Sequence, residues 1–474
     1  MPEPSNLTIA VVGGGPGGYA AAFLAADLGM KVTLIDPEQN PGGVCLYRGC
    51  IPSKALLHVA KLIDESRHAK NWGIEFGEPK IDIGRLRSFK EGVVNRLTGG
   101  LGQISKLRKV QYLRGEARFE SSNTLTVSKA GGGEEKLSFD RIVIATGSRP
   151  SVIPALKLES SRLLDSTSAL ALEDVPPTLL VVGGGYIGLE LGTVYAALGS
   201  KVSVVEMTAG LLPGADRDLV LPLHKRLEKI FDSILLNTTV TALKEEAEGI
   251  RVCFSGKDLK EREKVFAKVL VSVGRKPNSE IPGLDRTRVS VGERGFIRVN
   301  RHLQTDDPAI YAIGDVVGEP MLAHKASHEG RTAVEHIAGH KVAFEPNAIP
   351  AVVFTDPEIA WAGLTETQAE KEGREIKVAK FPWGASGRAT TLDRTEGMTK
   401  LIFDPATERV LGVGLVGTGA GELVAEGTLA IEMAALAKDV ALTIHPHPTL
   451  SETLMQSAEV FFGTSTDLYR PRRS

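Results

Sequence analysis

Apolar runs of four or five residues, each closed by glycine or an acid, recur along this chain and are the pattern of strands buried on both faces of a parallel sheet. Ile9-Ala10-Val11-Val12 leads into Gly13-Gly14-Gly15-Pro16-Gly17-Gly18, an Ala-rich helical stretch follows, and Lys31-Val32-Thr33-Leu34-Ile35 ends at Asp36. The arrangement repeats in Leu179-Leu180-Val181-Val182, Gly183-Gly184-Gly185-Tyr186-Ile187-Gly188, a second helical stretch, and Lys201-Val202-Ser203-Val204-Val205-Glu206. Each copy reads as strand, tight turn, helix, strand, acid, so the chain carries an internal duplication. Arg141-Ile142-Val143-Ile144-Ala145-Thr146-Gly147 and Ala309-Ile310-Tyr311-Ala312-Ile313-Gly314-Asp315 predict two later strands that close the first sheet. From about Ala343 the pattern changes to strands mixed with an Ala-rich helix. Thr399 to Val416 alternates on both sides of Asp404-Pro405-Ala406-Thr407 and predicts a hairpin.

The architecture expected is α/β, with two Rossmann-like dinucleotide-binding domains and a C-terminal α+β domain. The expected bounds are 1–150 for the first domain, 151–275 for the second, 276–342 for a central segment completing the first, and 343–474 for the last. The second domain is thus an insertion, with Pro176-Pro177 ahead of its leading strand. In each turn Gly13, Gly15 and Gly18, or Gly183, Gly185 and Gly188, supply the tight bend, close backbone approach to a pyrophosphate, and helix-to-strand packing. The phosphate charge meets the helix N-terminus. Asp36 and Glu206 stand where ribose hydroxyls need an acceptor, although either also fits an ordinary charge at a strand end. No arginine follows Glu206 in Met207-Thr208-Ala209, so the second site is expected to prefer NAD to NADP.

The 474-residue chain has formal net charge -2 and three cysteines, too few for a structural disulfide framework. It has no basic stripe for nucleic acid and no apolar run long enough to span a bilayer. Folding pattern begins at Leu7 with no leader-like segment ahead of it, which favours the cytoplasm. Two of the cysteines stand together in Gly42-Gly43-Val44-Cys45-Leu46-Tyr47-Arg48-Gly49-Cys50-Ile51-Pro52-Ser53-Lys54. Such a pair suggests a redox-active disulfide. On an ideal helix residues five apart have Cα atoms roughly 8–9 Å apart, whereas a disulfide needs about 4.4–6.8 Å, so a distorted turn is expected. Gly42, Gly43, Gly49 and Pro52 permit one. Lys54, one turn after Cys50, favours thiolate. Cys253 reads as a small buried hydrophobe.

A nicotinamide moves hydride, a disulfide accepts electrons through thiolate chemistry, and a flavin exchanges with both. The first site, with the cysteine pair close behind it, is therefore expected to hold FAD and the second NAD.

On these motifs nearly the whole chain resembles the pyridine nucleotide-disulfide oxidoreductases, and within them the dihydrolipoyl dehydrogenases. The resemblance implies that Cys45 is the interchange thiol that meets substrate and Cys50 the charge-transfer thiol beside the flavin. It pairs Lys54 with Glu190 near flavin and nicotinamide, and gives Asp315 to the ribityl chain. Thr146, Gly147 and Gly274 join the expected cofactor-binding positions. The C-terminal domain resembles the family's dimerisation domain. In His445-Pro446-His447-Pro448-Thr449-Leu450-Ser451-Glu452, the resemblance makes His447 a general base supplied by the partner subunit of a homodimer. Glu452 would accept from its other ring nitrogen, though Thr449 and Glu452 also have capping-box spacing. His447-Pro448 is a candidate cis bond. No metal site is expected, because no cysteine or carboxylate cluster at ligand spacing accompanies the histidines. The implied substrate is a lipoyl group carried on an acyltransferase or a glycine-cleavage carrier protein. The family commonly has Asn at Tyr47 and often Val at Arg48. Alternatives are a glutathione-type reductase, disfavoured by Glu206 and Leu450, and a structural or docking flavoprotein subunit, disfavoured by the intact cysteines and His447.

Overall fold

The computed structural model describes residues 7–257 and 259–468. β1 (Thr8–Val12) is almost wholly buried, as is β2 (Lys31–Asp36) after its first residue, and the two pair in parallel with α1 (Pro16–Asp27) between them. The strands Arg141–Ile144 and Ile310–Ala312 extend this sheet on the other side of β1, also in parallel. The two segments expected to close the first sheet therefore do so. On the far side, Gln111–Ser121 begins parallel to β2 and then bends away to pair antiparallel with Thr124–Lys129. Apolar contacts from both faces explain why these strands read as unbroken hydrophobic runs.

A two-stranded ribbon, Ser148–Pro150 against Arg275–Pro277, leads into and out of the second nucleotide-binding unit. Its parallel sheet runs, in spatial order, Ser233–Leu235, Lys201–Val205, Thr178–Val182, Lys268–Val271 and Leu163–Leu164. A small antiparallel sheet of three strands caps it. Cys253 lies there on Gly249–Ser255 and is only partly buried, with its sulfur 3.8 Å from Glu263. The expectation of a buried hydrophobe fails because this strand turns that face toward solvent.

The C-terminal unit is a five-stranded antiparallel sheet backed by the helices Ala420–Glu432, Ala437–Leu442 and Glu452–Phe462. The predicted hairpin is present, Met398–Phe403 against Val410–Gly417. Asp404 shapes its turn by accepting from the N–H groups of Ala406 and Thr407. Taken together the fold is α/β, with two Rossmann-like units and an α+β C-terminal unit. No described helix is long and apolar enough to cross a membrane.

The second and third units are joined by a buried ammonium. Lys400, 1% exposed, reaches Asp216 at 2.7 Å, Asp218 at 2.8 Å and Glu366 at 2.6 Å. Lys380 pairs with Asp218 and Glu366 as well, so these three acids are held by cations. Burial pushes the Asp216 carboxyl up, but the Lys400 ammonium and the Thr367 N–H and hydroxyl outweigh it and hold it down at about 2. Removing one partner of such a cluster leaves buried charge uncompensated. Lys400→Met is expected to destabilise the protein by about 3–5 kcal/mol, read from denaturant unfolding at neutral pH. Because the Asp216 pKa is depressed on folding, its contribution is complete above about 4 and is lost as pH falls through about 2. The gap between wild type and variant should therefore narrow in acid.

Candidate active site

The cysteine pair is positioned by glycine against glycine. α2 (Gly43–Arg48) starts where the Gly42 N–H donates to the Gly14 carbonyl at 2.7 Å. Gly43 has φ +58°, and a Cβ there would lie 2.5 Å from the Gly15 Cα. Only glycine fits, so the helix carrying Cys45 seats directly on the first nucleotide turn. The helix then breaks at Gly49, with φ -144° and ψ -114°, and α3 (Cys50–His68) begins. This is the distorted turn the spacing requires. The Ser53 N–H returns to the Gly49 carbonyl, while Pro52 has no N–H to offer Arg48.

The structure holds Cys45 and Cys50 as two apposed thiols. The Cys45 thiol donates to the Cys50 sulfur, and this hydrogen bond lowers Cys50 to about 7 against the opposing effect of burial. The Lys54 ammonium, one turn along α3, lowers it further and Glu190 raises it. The same hydrogen bond, then burial, pushes the Cys45 thiol far up. One thiol is thus kept protonated and the other is poised as thiolate.

Lys54 Nζ lies 2.7 Å from Glu190 Oε2, the contact the resemblance implied. Glu190 is 3% exposed, and its other oxygen accepts from the Phe354 N–H at 3.0 Å. The Phe354 ring faces the ammonium at 4.6 Å. Glu190 thereby ties together the helix of the cysteine pair, the second nucleotide unit and the C-terminal unit.

A cavity of about 500 Å³ runs from the first glycine turn to the cysteines. Asp36, Thr146, Gly147 and Asp315 line it together with Cys45, Cys50, Lys54 and Glu190. α1 has no side-chain cap and no acid in its first turn, so its N–H groups are available to an anion. A Cβ on Gly15 would project toward space where the nearest atom is 3.9 Å away, whereas one on Gly13 would strike the Ala145 carbonyl at 2.2 Å and one on Gly18 the Gly13 carbonyl at 1.8 Å. The turn therefore fits a dinucleotide pyrophosphate, with Gly15 leaving the room and its neighbours making the bend. Asp36 Oδ2 accepts from the Gly14 N–H at 2.5 Å and Oδ1 from the Glu38 N–H at 2.9 Å, which fixes the carboxylate at one end of the cavity. Asp315 accepts from the Ser148 hydroxyl at 2.5 Å.

The second turn repeats this geometry; its Tyr186 and Ile187 line the same cavity, while its glycines and Glu206 do not. Glu206 accepts from the N–H groups of Gly184 at 2.7 Å and Thr208 at 2.8 Å, at the same offset as Asp36 from Gly14. A Cβ on Gly185 meets nothing within 4 Å, while Gly183 and Gly188 are closed against Ser272 and each other. Gly274 does not line the cavity; with φ +122° it turns the chain and its carbonyl accepts from the Ser151 N–H. Its neighbour Arg275 does line it, donating to the Ser148 hydroxyl and carbonyl, each at 2.7 Å. Arg275 had no motif to mark it, since only the ribbon pairing brings it there.

His447 Nδ1 lies 2.9 Å from Glu452 Oε1. Glu452 Oε2 accepts from the Thr449 N–H at 2.8 Å, the carboxylate half of the capping box, but the helix begins at Glu452 with Ser451 ahead of it and the Thr449 hydroxyl donates to the Pro446 carbonyl instead. Burial pushes Glu452 up, but the Thr449 N–H and the His447 ring hold it below the usual range. The His447–Pro448 bond is cis. His445 is separately paired with Glu426 at 2.7 Å. His447 is 78% exposed and does not line the cavity of its own chain. Nearby, Leu442 and Ile444 are bare apolar side chains, the latter 94% exposed.

Two sequence-family models match the chain. Residues 7–330 match the pyridine nucleotide-disulphide oxidoreductases, and residues 349–458 match that family's dimerisation domain. Dihydrolipoyl dehydrogenases from Vibrio cholerae and Haemophilus influenzae are each 50% identical over 468 residues, covering 99% of this chain and 98% of theirs. That of Geobacillus stearothermophilus is 44% identical over 455 residues, 96% of each chain. Among solved structures, LpdA from Mycobacterium tuberculosis superposes with TM-score 0.88 at 26% identity, covering 96% of this chain and 99% of that one. The HOCl-induced flavoprotein disulfide reductase RclA from Escherichia coli gives 0.84 at 27% identity, with the same coverage. The fold and site define a dinucleotide-dependent dithiol oxidoreductase. The chain belongs to the pyridine nucleotide-disulphide oxidoreductase family, whose members use FAD and NAD(H).

In the reduced, flavin-free protein, thiolate absorbance should report one group titrating near 7. Lys54→Met should move it up, and Cys45→Ala should move it further, since the Cys45 hydrogen bond is the larger influence. A single transition at the free-cysteine value of about 8.5 would contradict this electrostatic arrangement.

Proposed function

We propose that this protein is a homodimeric dihydrolipoyl dehydrogenase that oxidises a protein-bound dihydrolipoyl group to lipoyl and reduces NAD to NADH. The observation that carries the reading is the apposed Cys45–Cys50 pair, with Lys54 and Glu190 behind it, at the end of a cavity that begins at a bare helix N-terminus. Near-full-length identity to enzymes of that name supports it. In the oxidised resting state Cys45 and Cys50 form a disulfide. His447 of a second copy takes a proton from one substrate thiol, and Glu452 holds the ring and favours the imidazolium. The substrate thiolate attacks Cys45, forming a mixed disulfide and releasing Cys50 as thiolate. The second substrate thiol, giving up its proton in turn, closes the lipoyl disulfide and frees Cys45. Bound FAD supplies the two-electron relay from the thiol pair to nicotinamide. Lys54 balances the negative charge that accumulates on Cys50, and Glu190 holds the ammonium in place. The Cys45–Cys50 bond then re-forms.

Glu206 carries the preference for NAD, since a carboxylate fixed by two backbone N–H groups repels a 2′-phosphate. The physiological substrate on this reading is a lipoyl group borne by an acyltransferase or a glycine-cleavage carrier protein in the cytoplasm.

The purified yellow protein should reduce NAD with dihydrolipoamide rapidly, and NADP far more slowly. His447→Gln should cut the dihydrolipoamide rate by about 10²–10⁴-fold, while NADH still bleaches the bound flavin. Negligible dihydrolipoamide turnover by an FAD-loaded dimer would sink the proposal and leave a different disulfide as the substrate.

A further inference from the structure

At the Asp36 end of the cavity two charged side chains meet from opposite walls, Glu38 from the loop after β2 and Arg48 from the last turn of α2. They form an ion pair, with Arg48 39% and Glu38 28% exposed. The loop beneath Glu38 is held by side chains of the neighbouring strand. Tyr112 donates its hydroxyl to the Glu38 carbonyl at 3.0 Å, and Arg114 Nε donates to the Pro37 carbonyl at 3.0 Å. Tyr47, beside Arg48 on α2, grips the same loop, its hydroxyl donating to the Asn40 carbonyl at 3.0 Å and accepting from the Asn40 N–H at 3.2 Å. The two positions at which this cysteine loop departs from the common pattern thus act together, Tyr47 fixing the loop and Arg48 closing on it.

An exposed ion pair by itself adds little to stability, so folding alone does not account for this arrangement. A dinucleotide along the cavity brings its phosphates to the α1 N-terminus and its ribose to Asp36. Arg48 borders that stretch, and its charge already acts on the Asp36 carboxylate. A guanidinium has five N–H donors, more than the contact with Glu38 uses. We propose that Glu38 and Arg48 form a clasp over the adenosine-diphosphate half of FAD, Arg48 donating to its phosphate and ribose oxygens and Glu38 holding the guanidinium in place.

The clasp rests on the assignment of this cavity to FAD, and the test separates the two. Wild type, Arg48→Met, Arg48→Lys and Glu38→Gln are stripped of flavin, titrated with FAD by flavin fluorescence, and challenged with ADP as competitor at low and high salt. Arg48→Met should bind both FAD and ADP about 10–100-fold more weakly, as expected for loss of a charge-assisted hydrogen bond. Its FAD affinity should also vary less with salt. Arg48→Lys should recover part of the loss, and Glu38→Gln should show a smaller one. Should Arg48→Met fail to fold, Glu38→Gln decides. The clasp is overturned if both variants bind FAD and ADP as wild type does, or if FAD weakens without ADP. A wild type that takes up no FAD would instead overturn the assignment of the cavity.

Discussion

The backbone contact between two pairs of glycines organises this molecule. Gly42 and Gly43 lie on Gly14 and Gly15 so closely that a single Cβ at Gly43 would prevent it. One pair belongs to the first glycine turn, whose shape fits a pyrophosphate, the other to the helix that carries Cys45. Because no side chain intervenes, redox sulfur and cofactor cradle share one rigid base. Every later requirement, from the break at Gly49 to the placing of Lys54, is measured from that contact.

Charge then joins the units that the glycines leave separate. Glu190 is nearly inaccessible, and its two oxygens hold Lys54 of the first unit and the Phe354 N–H of the third. A buried carboxylate without partners would be costly, so the three units must meet at this point for it to be tolerated. Lys400 does the same from the other side, with its ammonium surrounded by acids from the second and third units. The electrostatics that tune Cys50 are therefore also part of what sets the units against one another.

What could be read from the residues alone was local. The two glycine turns, their closing acids, the strands ending at Gly147 and Asp315, and the distorted turn between the cysteines follow from backbone geometry within a few residues. Arg275, Phe354 and Lys400 could not be found that way, because each is placed by chain more than a hundred residues distant. Gly274 lies beside a cavity residue and turns the chain between two sheets. Cys253 was misjudged since an exposed face of a small sheet has no local signature. Glu452 was read as either a helix residue or the partner of His447, and with two oxygens it is both.

In the proposed reaction the cysteine pair of one copy works with the His447–Glu452 pair of another. Its most direct test is complementation between two inactive variants, Cys45→Ser and His447→Gln, dissociated, mixed and reassembled as dimers. Mixed dimers contain one site with both the native cysteine pair and the native histidine, so dihydrolipoamide-dependent NAD reduction should reappear on mixing. If mixed dimers form and remain as inactive as their parents, the histidine and the cysteines do not work across the dimer.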